Sequence, residues 1–71
     1  MNIDTLAKRE EILMFIKEYV SVKHYPPTIR EIAAGVNLRS TSSVHNQLYR
    51  LEMEGKLAID RNRPRAIRVL D

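Results

Sequence analysis

The sequence predicts a mainly α-helical domain in which three helices are closed by a small two-stranded antiparallel β-hairpin. Three observations carry that reading. Apolar residues recur at helical spacing from Ile12 to Val20, a capping box follows Pro26 and Pro27, and two alternating runs flank the segment RNRP near the C-terminus. At 71 residues, 44% hydrophobic and 30% charged, the whole chain, 1–71, reads as one globular domain with a single core. A chain of this length buries only about 60% of the surface its unfolded form exposes, so polar positions inside its helices need a reason.

In the first helix, Ile12, Phe15, Ile16, Tyr19 and Val20 fall at i, i+3, i+4, i+7 and i+8, with Glu11, Lys17 and Glu18 on the other side. Asp4 or Thr5 offers a cap at its start, and HYPP ends it, because two prolines cannot continue a helix. In PPTIREIAAGV, Thr28 as N-cap and Glu31 three residues on form a Thr-x-x-Glu capping box, and Ile29, Ile32 and Ala33 make the buried side. This second helix is expected to run about two turns, since Gly35 and Asn37 both accept a left-handed backbone and place a turn at 35–38.

The segment RSTSSVHNQLYRL is polar where a small protein most needs apolar packing. It still carries Val44, Leu48 and Leu51 at i, i+4 and i+7, with Ser40 placed to cap the helix and Gly55 to end it. At about 100° per residue, Ser42, His45, Asn46 and Tyr49 fall on the opposite face. One side packs, and the other presents hydrogen-bonding groups. Beyond Gly55, KLAID and RAIRVL alternate, with Leu57, Ile59, Ile67 and Val69 on one face, as half-buried strands do. Arg61, Arg63 and Arg65 crowd the connecting loop, which Pro64 stiffens.

Composition narrows the chemistry. Cysteine is absent, which removes disulfides, a thiolate nucleophile and a Cys-type zinc site. No apolar run approaches the roughly 18 residues that span a bilayer, and charges at Asp4, Lys8, Arg9, Glu10 and Glu11 stand where a signal peptide is apolar; a cytoplasmic protein is expected. The net charge of +3 lies entirely in residues 39–71, where seven basic side chains face four acidic ones, while five of each balance in residues 1–38. That half favours a polyanion. Ser42 and His45 share a face, but no carboxylate there orients the histidine and no glycine-rich turn offers an oxyanion hole, so no catalytic residue is assigned. His24 and His45 lie 21 positions apart without clustered carboxylates, and neither metal, cofactor nor small-molecule substrate is expected.

Three helices, the second and third joined by a short turn, followed by a basic hairpin, is the layout of a winged helix-turn-helix. A helix about 10–12 Å across fits the DNA major groove, where Ser, His, Asn and Gln side chains match donors and acceptors on base edges. An arginine-rich hairpin reaches phosphates or a flanking minor groove, adding sequence-independent affinity. Each feature also has a plainer explanation. Ser40 serves equally as a helix cap, a polar stripe is ordinarily a solvated surface, basic hairpins protect strand edges, and Tyr49 fits against the hairpin as well as against phosphate. The alternative is a free-standing winged-helix protein-interaction module, or a regulator without operator specificity; the interaction module needs an exposed apolar patch, for which Leu13, Met14 and Met53 are the candidates.

YPPTIREIA, LRSTSSVHNQLYRLEMEGKL and NRPRAIRVL in combination resemble the N-terminal DNA-binding domain of LexA-type repressors of the bacterial SOS response, from about Leu6 to Asp71. The resemblance implies a bacterial or phage-encoded, nucleoid-associated repressor that binds a palindromic operator in double-stranded DNA as a homodimer, with the third helix in the major groove. The family's base-reading positions match Ser40, Ser42, Ser43, His45 and Asn46; Ser43 lies at the edge of the helical wheel, nearer the core. The wing matches Arg61 to Arg65. Thr28, Arg39, Thr41, Tyr49 and Arg50, with Arg61, Arg63 and Arg65, are the candidate contacts to the DNA backbone. His24 and Asn37 stand where the family often has glycine, and Ala7 where it commonly opens its first helix with Ser or Thr. The family's Ser-Lys self-cleaving domain, which also supplies dimer contacts, has no counterpart in these residues, so weak binding and no self-cleavage are expected of them alone.

Overall fold

A computed structural model describes residues 3–63 and 66–70. Its elements follow in the expected order: α1 (Ile3–Lys23), α2 (Ile29–Gly35), α3 (Thr41–Met53), β1 (Leu57–Ile59) and β2 (Ile67–Val69). The architecture is that of a winged helix domain, mainly helical with one small sheet.

α1 begins earlier than its polar residues suggest. Asp4 and Thr5 lie inside the helix, not at a cap before it, and Ala7 is likewise interior. Its far end closes at His24, whose φ of 67° carries its N–H to the Val20 carbonyl at 2.8 Å, a left-handed helix stop made without glycine. The chain then passes through the buried Pro27 into α2.

The capping box of α2 is complete: Thr28 Oγ1 accepts from the Glu31 N–H at 3.2 Å, and Glu31 Oε1 accepts from the Thr28 N–H at 2.8 Å. At the other end, Asn37 supplies the left-handed residue at φ 59°, and the Leu38 N–H reaches back to the Ala33 carbonyl at 2.8 Å. Gly35 does not make this turn. It stays helical, and its role is close approach, since a Cβ there would stand 2.2 Å from Cε2 of Phe15.

Ser40 caps α3 by accepting the Ser42 N–H at 3.1 Å. Gly55 ends it at φ 77°, with Gly55 N–H on the Glu52 carbonyl and Lys56 N–H on the Leu51 carbonyl, both at 3.0 Å, the paired bonds of a Schellman turn. β1 and β2 then pair antiparallel with Leu57 opposite Val69 and Ile59 opposite Ile67, which places these four apolar residues on one face.

Every element contributes to one core. Ile12 and Ile16 of α1 meet Ile32, Ala33 and Val36 from α2 and its cap, Val44, Leu48 and Leu51 of α3, and Leu57 and Ile67 of the sheet. Burial of each large aliphatic side chain is worth about 1.5–3 kcal/mol. Polar contacts fix how α1 lies across the other helices: Lys8 Nζ donates to the Val36 carbonyl at 2.7 Å, and the Tyr19 hydroxyl donates to Glu31 Oε2 at 3.1 Å. Both bonds tie α1 to α2 and its cap.

Candidate nucleic-acid interface

With Val44, Leu48 and Leu51 turned into the core, the rotation of α3 is fixed and its other face meets solvent. Ser42, Ser43, His45, Asn46 and Tyr49 are all exposed, as are Ser40 and Thr41 at the helix start and Arg39 and Arg50 beside it. Ser43 is thus farther from the core than the helical wheel suggests. Gln47 behaves differently. It is half-buried, and its Oε1 accepts from Arg9 Nε at 2.9 Å, so this amide is turned away from the exposed stripe and toward α1.

A cleft of about 620 Å³ separates α3 from the hairpin. Thr28 and Arg30 line it from the start of α2, His45 and Tyr49 from α3, and Asp60, Arg61 and Arg63 from the wing, while Leu48, Ile59 and Ile67 form its apolar floor. Both readings of Tyr49 meet here: the ring is about half exposed and lines the same cleft as the hairpin. Arg30 was not among the residues expected from sequence. Its position two residues after the Thr28 cap, on the helix start that faces the wing, is the signal that could have found it.

The hairpin loop has its own internal order. Asp60 Oδ1 accepts the Asn62 N–H at 3.0 Å, and the Asp60 N–H donates to the Ala66 carbonyl at 2.9 Å. Arg63 stands out from the loop at 79% side-chain exposure, with Asp60 Oδ2 at 3.7 Å from its Nε. Arg61 is held. Its Nη2 donates to Glu52 Oε1 at 2.8 Å and its Nη1 to Glu52 Oε2 at 3.3 Å, joining the end of α3 to the wing. That hydrogen-bonded contact lowers the pKa of Glu52 and raises that of Arg61. Pro64 and Arg65 lie outside the described residues.

The arrangement is chemically suited to an anionic, hydrogen-bonding partner. Hydroxyls, an imidazole and a carboxamide project from one helix face, flanked by Arg30, Arg39, Arg50 and Arg63, all exposed. Among the described residues, no group of three or more His, Cys, Asp and Glu side chains could hold a metal ion, and no helix is long and apolar enough to cross a membrane. Of the three candidates for an apolar docking patch, Leu13 packs against the core, while Met14 and Met53 remain exposed.

Residues 4–66 match the family model described as the LexA DNA binding domain. The whole chain is 48% identical over 71 residues to the LexA repressor of Finegoldia magna, of which it covers 34%. It is 50% identical over 71 residues to the LexA repressor of Caldicellulosiruptor saccharolyticus, covering 100% of this chain and 35% of that protein. Over 67 residues, 93% of this chain and 32% of the relative, it is 54% identical to the LexA repressor of Bacillus velezensis. The chain spans about a third of the length of these curated relatives.

Proposed function

Since this chain belongs to the LexA DNA-binding domain family, we propose that it binds double-stranded DNA sequence-specifically as the operator-reading part of a transcriptional repressor of SOS type. The observation that carries this is the outward face of α3, where Ser42, Ser43, His45 and Asn46 are exposed together beside a cleft walled by the wing. α3 enters the major groove by its capped N-terminal end, and these four side chains with Ser40 contact bases. Ser40 does so while capping, since a hydroxyl at a helix start serves the helix and an incoming phosphate or base alike.

Thr28 and Arg39 ahead of α3, with Thr41, Tyr49 and Arg50 on it, position the DNA backbone, while Arg63 and Arg65 supply the wing's contact to phosphate or minor groove. Arg30 joins this set on its place in the cleft. Two copies occupy the halves of a palindromic operator. Linking the two halves raises the affinity well above that of either alone, often by about 10²-fold or more.

Fluorescence-anisotropy titration of a palindromic SOS-type operator and a scrambled duplex, at several salt concentrations and with an artificially dimerised form alongside, tests this. Preference for the operator that grows on dimerisation is the expected result. Equal salt-driven binding to both duplexes overturns the assignment of the base-reading residues. No binding at low salt overturns DNA binding and puts a protein partner in its place.

A further inference from the structure

The first arginine of the wing already holds an anion. Glu52 stands three residues beyond Tyr49 on α3, and the Arg61 guanidinium forks across its carboxylate at 2.8 and 3.3 Å. Arg61 lies just past β1, so this contact ties the end of α3 to the wing. Arg61 lines the cleft with His45, Tyr49 and Arg63. A phosphate offers a guanidinium the same two-oxygen acceptor that a carboxylate does.

We propose that Glu52 is an internal competitor of DNA phosphate for Arg61, masking one wing cation and restraining the sequence-independent part of binding; this rests on the DNA-binding reading above. Because Glu52 and Arg61 belong to one folded chain, their pairing has the advantage of high effective concentration over a phosphate arriving from solution. Among the described residues, Arg63 is held more loosely: its Nε stands 3.7 Å from Asp60 Oδ2 and its side chain is mostly in solvent. The wing therefore presents Arg63 to DNA and withholds Arg61.

The test compares the wild type, Glu52→Gln and the double variant Glu52→Gln/Arg61→Ala on operator and scrambled duplexes across a salt series. Glu52→Gln should tighten binding to both duplexes by up to about fivefold and steepen the log–log salt slope by up to about one unit. The double variant, which keeps the net charge of the wild type, should return to the wild-type slope. An unchanged slope in Glu52→Gln overturns the proposal. So does a double variant whose slope is flatter than wild type by about one unit, because Arg61 would then grip phosphate despite Glu52. A wild type that binds neither duplex at low salt overturns the DNA-binding reading and this inference with it.

Discussion

Arg9 Nε donates to Gln47 Oε1 at 2.9 Å, and the Nη1 of the same guanidinium meets Glu54 Oε2 at 3.0 Å. One buried arginine of α1 therefore grips both the middle of α3 and its C-terminal cap. Burying a guanidinium is costly unless its donors are matched, so deletion should expose the value of the contact. Arg9→Ala is expected to lower stability by about 1.5–3 kcal/mol in urea denaturation. Gln47→Ala should cost less, about 0.5–1.5 kcal/mol, and leave operator discrimination intact because Gln47 does not share the exposed stripe. A loss below about 0.5 kcal/mol for Arg9→Ala would show that these hydrogen bonds do not hold α3.

The contrast between Gln47 and Asn46 shows where sequence was legible. Periodicity alone separated the buried Val44, Leu48 and Leu51 from the exposed Ser42, His45, Asn46 and Tyr49, because a helix converts spacing directly into direction. Asn37 is legible as a left-handed residue from its own chemistry, while His24 stands out only through the resemblance, which puts a glycine there; both take positive φ. What sequence could not show were the partners brought from afar. Arg9 and Gln47 are separated by 38 positions, and Glu52 and Arg61 come together only once α3 and the hairpin have packed. Gly35 misled for the same reason: its local chemistry suits a turn, while the constraint on it is the ring of Phe15 from another helix.

Gly35→Ala separates these two roles. In an isolated helix the change would gain roughly 0.8–1 kcal/mol, yet here the new methyl meets three atoms of the Phe15 ring at 2.2 to 2.8 Å. Phe15 is not at liberty to swing aside, being packed against the core and against the Tyr19 ring at 5.9 Å between centroids. Overpacking should dominate, with a net loss of about 1–3 kcal/mol seen as a lower urea midpoint. Phe15→Leu in the same chain should recover part of it; a more stable Gly35→Ala single variant would contradict the close approach.

Thr28→Ala removes the hydroxyl half of the capping box and should cost about 0.5–2 kcal/mol. Thr28→Ser keeps the acceptor and should cost little. Glu31 carries two duties, capping Thr28 through Oε1 and accepting from Tyr19 through Oε2. Glu31→Ala is therefore expected to destabilise more than Tyr19→Phe in thermal melts. Equal losses would mean that the box contributes nothing beyond the tyrosine contact.

Asn46 and Arg63 should fail in different ways if one reads and the other holds. Asn46→Ala is expected to lose about 1–3 kcal/mol of discrimination at one base position, measured with single-substitution operators. Arg63→Ala should weaken all duplexes alike and flatten the salt slope by up to about one unit. Loss of the same size on cognate and scrambled DNA for Asn46→Ala would remove it from the base-reading set. An unchanged slope for Arg63→Ala would remove the wing from the phosphate contacts.

The Glu52–Arg61 pair also makes an acid-side prediction. The hydrogen bonds from Arg61 hold the Glu52 carboxyl below the ordinary glutamate value, with partial burial opposing them. Unfolded glutamate titrates near pH 4.3, so the stabilisation from this pair is fully present above that value and is lost as pH falls through the lower folded pKa. Carbon-detected NMR titration should place the Glu52 midpoint lower in the wild type than in Arg61→Ala, where it returns toward the ordinary glutamate value. The competitor thus stays charged throughout the neutral and mildly acid range, and no change in wing behaviour between about pH 7 and pH 5.5 should originate at Glu52. An identical midpoint in both proteins would show that Arg61 does not set the charge of Glu52, and the bidentate contact would lose its electrostatic meaning.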